Sequence, residues 1–272
     1  MVEWITDAED PRIADYRDVR ERDLVGRRGL FVAEGAVVLR GLLDSPFARP
    51  RSILVAEARL PGLSDLLARV PPGTPVFAAS QAVMDTIVGF PIHRGILALG
   101  ETPPQRDPAS VLAGVGAGGL VLALSGIANH DNMGGLFRNA AAFGVDAVVL
   151  DAGCCDPFYR KALRVSVGAV LQVPQVRLVP GADMVAGLQA AGFRVLALSP
   201  SGTQDLASVG GGGRVAVVLG AEGPGLAPEV LARCETVRIP MAAGFDSLNV
   251  ATTSGIVLHH LRNSGGEGTR LE

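Results

Sequence analysis

The chain has 272 residues, of which 48% are hydrophobic, 19% charged and 4% aromatic, with 24 basic against 27 acidic side chains for a net charge of −3. That length accommodates two ordinary domains, and the composition is that of a compact α/β protein packed with Ala, Val, Leu and Gly. The acidic balance excludes a chain that coats nucleic acid by bulk charge, while the absence of a signal-like start and of any apolar run near the roughly 18 residues of a membrane helix predicts a cytoplasmic protein without a membrane anchor.

Between Arg12 and Arg28 six arginines alternate with Asp15, Asp18, Glu21 and Asp23. This reads as a solvated helix with charge pairs three or four residues apart, the alternative being an RNA-contacting face. Leu30–Ala33 is predicted as a strand and Gly35–Leu43 as a helix. Strands at Arg51–Ala56, Pro75–Ala78 and Gly95–Leu99 then alternate with helices at Leu63–Val70 and Gln81–Val88. The alternation implies a small α/β domain over residues 1–104.

The stretch 105–118, with its Thr-Pro-Pro lead-in and glycine-rich end, reads as a linker carrying a short helical piece. Leu120–Leu124 is a near-continuous apolar strand of the kind buried on both faces of a parallel sheet. Strands follow at Ala147–Leu150, Val173–Leu178, Arg194–Leu198, Val215–Leu219 and Val237–Ile239, placing a second domain at 119–264 and a flexible tail at 265–272. Cys154, Cys155 and Cys234 have no metal-ligand spacing and are read as buried, reduced thiols, so no metal is expected.

Three segments concentrate glycine with polar side chains. In Asn132-Met-Gly-Gly-Leu-Phe-Arg138-Asn139, Asp131 or Asn132 can cap a helix running to about Phe143, with Arg138 and Asn139 near the face of Gly134 and Gly135. The glycines are read either as close helix packing beside a surface arginine or as part of a site. Leu219-Gly-Ala-Glu222-Gly-Pro-Gly225 must form the loop at the carboxyl end of a strand, where α/β sheets bind ligands. It also fits a plain turn, with Glu222 capping a helix. In Ile239-Pro-Met241 to Asn249, the chain leaves a strand, turns at Gly244, and starts a helix at Asp246 or Ser247 whose first amides point outward and can hold a ligand.

Together, in this order, the three segments resemble the SpoU branch of the SPOUT methyltransferases. The resemblance spans the second domain, and more loosely the first, where Gly29–Leu39 and Pro91–Leu99 look like an L30e-like substrate-binding domain. It implies an N-terminal L30e-like α/β domain followed by a SPOUT α/β domain with a parallel sheet and a C-terminal trefoil knot formed by about Val215–Leu261. General rules on chain crossing predict an unknotted doubly wound sheet instead. The implied activity is transfer of a methyl group from S-adenosylmethionine to a ribose 2′-hydroxyl of RNA, ribosomal RNA before transfer RNA, by a homodimer. By motif position, Asn132, Arg138, Glu222, Ser247 and Asn249 are the catalytic set, and Leu219, Gly220, Ile239, Met241 and Leu248 hold the cofactor. The rival readings are an RNA-binding protein that keeps the fold without chemistry, and a dinucleotide oxidoreductase, for which no GxGxxG follows the first strand of either domain.

Other polar residues receive plainer readings. His130 is taken as a loop residue, and His259 and His260 as caps near a helix end. Arg160, Lys161 and Arg164 either reach RNA phosphates or line a solvated helix face.

Overall fold

The computed structural model describes residues 2–17, 25–26, 28–88, 94–243, 245 and 247–264, with the side chain of Val88 not described. Most of Asp18–Arg28, the Pro91–His93 stretch, the turn at Gly244, the helix start at Asp246 and the tail 265–272 therefore lie outside the described residues. In chain order the elements are β1 (Val2–Ile5), β2 (Leu30–Glu34), α1 (Ala36–Leu43), β3 (Arg49–Ala56), α2 (Ser64–Leu67), β4 (Val76–Ala79), α3 (Gln81–Val88) and β5 (Ile96–Glu101). They continue with α4 (Pro108–Ala113), β6 (Leu120–Leu124), α5 (His130–Ala142), β7 (Ala147–Leu150), α6 (Arg160–Val165), β8 (Gln175–Arg177), α7 (Met184–Ala190) and β9 (Arg194–Leu198). The last are β10 (Gln204–Asp205), β11 (Val215–Leu219), α8 (Pro228–Leu231), β12 (Glu235–Arg238) and α9 (Val250–Ser264).

Two compact units result. The first comprises Met1–Pro104 together with Pro157–Gln172, and the second Gln105–Asp156 with Val173–Glu272. The short segment carrying α6 thus belongs to the first unit, although its sequence lies inside the second.

In the first unit a five-stranded sheet has the order β1-β4-β3-β5-β2, with β1, β4 and β3 parallel and β5 antiparallel to both neighbours. Ile5, Leu54, Phe77, Met84, Leu97 and Leu99 form its core. Gly100 is glycine because the Phe31 ring lies over it, within 2.2 Å of where a Cβ would stand. After β1, Pro11–Tyr16 is a 3-10 turn. Arg12 pairs with Asp10 and Glu3, Arg17 with Glu9, and Arg28 with Asp15. None of these pairs is three or four residues apart, and the remaining charged residues of the predicted helix lie largely outside the described residues.

The second unit is a seven-stranded, all-parallel sheet of order β10-β12-β9-β11-β6-β7-β8. Its central strands are buried along their whole length, as their unbroken apolar runs require. Because all strands run the same way, the loops after β6, β7, β9, β11 and β12 emerge at one carboxyl end. From β12, which pairs with β9, the chain returns to α9, which packs on α5. A Cβ on Gly135 would stand 2.7 Å from that of Ala251, so the glycine sets the close approach of these two helices. Asn139 fastens it, its amide donating to Ala251 O at 2.6 Å and Ser254 Oγ at 2.9 Å. No helix among the described residues is long and apolar enough to cross a membrane.

Candidate active site

A cavity of about 740 Å³ opens at the carboxyl end of the second unit's sheet. It is walled by Leu219, Gly220 and Glu222 after β11, Ile239 and Met241 after β12, and Ser247, Leu248 and Asn249 before α9. Two of the three glycine-bearing segments therefore meet on one hollow, of a size typical for small-molecule sites. Leu198 at the end of β9 and Ser199, Pro200 and Ser201 beyond it also line the wall. Sequence reasoning missed these four. Their position immediately beyond an apolar strand was the available signal.

The loop after β11 is built from its glycines. A Cβ on Gly220 would lie 2.5 Å from the carbonyl carbon of Gly225, so the loop can fold onto its own start only with glycine there. Gly223 and Gly225 have φ of 86° and 68°, a conformation that side chains oppose. The Gly225 amide closes the loop by donating to Ala221 O at 3.0 Å. Glu222 is thereby carried on a tight turn with its side chain exposed.

Asn249 joins the three segments. Its Oδ1 accepts from the amides of Ala251 and Thr252 at 2.9 and 3.2 Å, which makes it the cap of α9. The cap expected at Asp246 or Ser247 lies instead at Asn249, because α9 begins at Val250. Those two amides are consequently occupied and do not face a ligand. The other end of the amide donates to Asn132 Oδ1 at 2.8 Å and to Glu222 Oε1 at 2.9 Å. Asn132, Glu222 and Asn249 thus form one connected polar group beside the cavity.

Asn132 is buried in the first turn of α5, whose cap is Asn129, accepting from the amides of Asp131 and Asn132. The expected cap at Asp131 or Asn132 is displaced because the helix starts at His130, which makes His130 a helical residue and not a loop one. Arg138 stands six residues further along, about 9 Å up the helix axis. It is exposed and makes no hydrogen bond or ion pair with a described residue, and it does not line the cavity. The first unit, not the second, holds Arg160, Lys161 and Arg164.

The loop entering α5 is anchored by Asp151, at the end of β7. Its carboxylate accepts from Ser125 Oγ at 2.7 Å, from the Gly126 amide at 3.0 Å and from the Gly153 amide at 2.9 Å. Burial pushes this carboxyl up, but the hydrogen bonds from Ser125, Gly126 and Gly153 outweigh it and hold it below the ordinary carboxylate value. Beside it, burial pushes the Cys154 thiol up to about 12 and that of Cys155 to about 11. Both are therefore thiols, not thiolates, at neutral pH. His259 and His260 do not cap α9. His260 Nε2 bonds Val209 O at 2.8 Å, and the His259 ring meets Phe143 edge-on at 5.8 Å, so both tether the helix sideways.

The sequence profile of the SpoU rRNA methylase family matches residues 119–259. An uncharacterized tRNA/rRNA methyltransferase of Mycobacterium tuberculosis is 40% identical over 281 aligned positions, covering 98% of this chain and 95% of the relative. The 23S rRNA (guanosine-2′-O-)-methyltransferase RlmB of Vibrio vulnificus is 34% identical over 170 positions, 61% of this chain and 68% of its own. Among solved structures, the AdoMet-bound rRNA methyltransferase of Sinorhizobium meliloti superposes with a TM-score of 0.82 at 24% identity, covering 96% of this chain and 98% of that one, a likeness of fold. Profile, full-length relative and architecture agree, and the chain belongs to the SpoU rRNA methylase family.

Proposed function

We propose that the protein is an S-adenosylmethionine-dependent RNA methyltransferase acting on a ribose 2′-hydroxyl, with ribosomal RNA the favoured substrate. The observation that carries this is the convergence of Asn132, Glu222 and Asn249 beside the cavity lined by Leu219, Gly220, Ile239, Met241 and Leu248. The cavity fits the cofactor in chemistry: apolar walls from Leu198, Leu219, Val237 and Ile239, backbone brought close by Gly220, and hydroxyls from Ser199, Ser201 and Thr253. When bound, S-adenosylmethionine supplies an electrophilic methyl group on a sulfonium.

The chain's residues then have to align a ribose oxygen and remove its proton. Glu222 is the side chain at the cavity mouth able to accept one, and Asn249 aims it by donating to Oε1. Guanidinium gives up its proton only with great difficulty, so Arg138 is assigned to an RNA phosphate and to developing alkoxide charge.

Arg138 lies outside the cavity wall of its own chain, which favours a homodimer with the site completed near a subunit interface. A groove in the second unit lined by Phe143, Leu206, Ile239, Pro240 and Ile256, the last 39% exposed, offers an apolar face for it. The same reading includes a threaded C-terminal knot, supported by the return of the chain from β12 to α9 past the loops after β9 and β11.

The test is incubation with methyl-labelled cofactor and unmodified ribosomal and transfer RNA transcripts, digestion to nucleosides, and Arg138→Ala in parallel. A labelled 2′-O-methylnucleoside that disappears in the variant is the expected result. Label on a base overturns the ribose assignment, and cofactor binding without transfer to any RNA overturns the enzyme reading.

A further inference from the structure

The helix that carries Asn132 and Arg138 and the helix capped by Asn249 meet at intervals along their length. Asn249 Nδ2 reaches Asn132 Oδ1 at 2.8 Å, Gly135 faces Ala251, and the Asn139 amide bonds Ala251 O at 2.6 Å and Ser254 Oγ at 2.9 Å. Further along, Arg262 Nε donates to Phe143 O at 2.8 Å. The partners advance together on both helices, so α5 and α9 lie side by side in the same direction. A slip of one against the other would part Asn132 from Asn249.

Small residues alone do not prevent such a slip. A Cβ on Gly135 would stand 2.7 Å from that of Ala251, and one on Gly255 would stand 3.3 Å from Asn139 Nδ2, so glycine sets the close approach. Apolar contact has no direction, however, and methyl groups over bare backbone favour no one register. Hydrogen bonds do have direction. Both hydrogens of Asn139 Nδ2 are spent, one on Ala251 O and one on Ser254 Oγ. The Ser254 hydroxyl is turned to accept, because its own hydrogen goes to Ala251 O at 2.7 Å. Ser254 is fully buried. A satisfied buried polar group adds little net stability but admits a single register, as a lone asparagine does in a coiled coil. Asn139 also follows Arg138 directly. Successive residues stand about 100° apart around an α-helix, so holding Asn139 against α9 sets the direction in which Arg138 leaves α5.

We infer that Asn139 and Ser254 are a positioning pair for the proposed reaction, fixing the register of α5 against α9 so that Asn132 meets Asn249 and Asn249 in turn aims Glu222. The inference rests on the RNA-methyltransferase reading, and adds to it two residues that do not line the cavity. They act through the Asn132–Asn249 bridge, and the cofactor walls are left to other residues.

The test uses the full chain, with methyl-labelled S-adenosylmethionine and a ribosomal RNA transcript for kinetics, calorimetry for cofactor affinity, thermal unfolding, and NMR exchange of the Asn249 side-chain amide protons. Wild type is compared with Asn139→Leu/Ser254→Ala, in which both polar partners become apolar groups of similar shape, a change close to neutral for stability. Ser254→Ala alone carries the comparison if the double variant fails to fold. Tm, cofactor affinity and KM for RNA should stay near wild type, with the loss confined to kcat. In the double variant kcat should fall by about 10–100-fold, as a displacement on the order of 1 Å produces, and by less in Ser254→Ala. The Asn249 amide protons should exchange faster in both. In an Asn249→Ala background the same double change should lower kcat by no more than about twofold, because the bridge it serves is already gone. Unchanged kcat and unchanged exchange would overturn the proposal, as would an equal fractional loss of kcat in the Asn249→Ala background. A fall in Tm and cofactor affinity together with kcat would also overturn it, leaving the pair a purely structural role. If wild type transfers no methyl group but the variants quicken exchange at Asn249, the register lock stands and the reaction reading falls.

Discussion

The side-chain nitrogen of Asn249 donates to the Oε1 of Glu222 across 2.9 Å, while the oxygen of the same amide is held by two backbone N–H groups of α9. That cap fixes which way the amide faces. Helix start and carboxylate are therefore positioned by one side chain, and the two duties can be separated by substitution.

Asn249→Ala should lose both. The cap is worth about 1 kcal/mol, and leaving the buried Asn132 Oδ1 without its donor adds about 1–3 kcal/mol. Asn249→Asp keeps a good capping oxygen but turns a second anion toward Glu222. Either variant leaves Asn132 Oδ1 without its donor, so thermal unfolding should show Asn249→Asp sparing only the roughly 1 kcal/mol of the cap relative to Asn249→Ala, and methyl transfer should fall in both. Equal destabilisation of the two would show that the bridge to Asn132 and Glu222, not the cap, dominates.

Arg138→Ala and Glu222→Gln should leave the fold intact and damage turnover. Both side chains are exposed, and Arg138 has no hydrogen bond to a described residue. Turnover should drop by roughly 10²–10⁴-fold in each variant, with cofactor affinity unchanged by calorimetry. A Glu222→Gln enzyme with wild-type kcat would remove Glu222 from proton transfer.

Two glycine substitutions should fail in different ways. In Gly135→Ala the new methyl meets Ala251 Cβ at 2.7 Å, which forces α5 and α9 apart at a cost of about 1–3 kcal/mol, read as a lowered Tm. In Gly220→Ala the methyl meets backbone at 2.5 Å, and the loop must open. Loss of cofactor binding with a smaller change in Tm is expected there. If Gly220→Ala bound S-adenosylmethionine normally, the loop would not be part of that site.

Asp151 gives a pH signature. Its folded carboxyl lies below the ordinary value, so the stability it supplies is fully present above the unfolded pKa of about 3.9 and is lost as pH falls through the folded one. Asp151→Asn should therefore be less stable than wild type at neutral pH, with the gap in denaturant midpoint narrowing below about pH 4. A gap independent of pH would mean that the hydrogen bonds from Ser125, Gly126 and Gly153 do not depend on the charge.

Much of this was legible in the letters. Leu120–Leu124, Ala147–Leu150, Arg194–Leu198 and Val215–Leu219 are strands at the predicted bounds, because unbroken apolar runs bounded by glycine or polar residues leave the chain little choice in a parallel sheet. Val2–Ile5 and Gln204–Asp205 were not legible. The first leaves Trp4 54% exposed, and the second is a polar pair at a sheet edge, so neither carries a buried pattern. Helix starts were displaced by a few residues, to Asn129 and Asn249, since several capping residues stand in a row at both places. Glu222 and Asn249 were placed in the site by motif, but their hydrogen bond, and the bond to Asn132, required the fold. Ser199–Ser201 was not assigned to the site, because its place beyond an apolar strand is a general signal and the segments it meets, after β11, after β12 and at the start of α9, are brought there only by the fold.

The interleaving of the two units constrains how such a chain can be cut or recombined. The backbone passes between them at residues 104–105, 156–157 and 172–173, so no single break separates one from the other. A fragment ending at Pro104 would lack Phe158, which stacks on Phe31 at 5.2 Å, and the carbonyl of Leu171 that receives the Ser45 hydroxyl at 2.6 Å. The complementary fragment would carry sixteen residues made for a surface it no longer has. Exchange of the first unit by one crossover in the linker would thus orphan α6 and its arginines, and a functional graft has to transplant residues 157–172 along with the amino-terminal sheet.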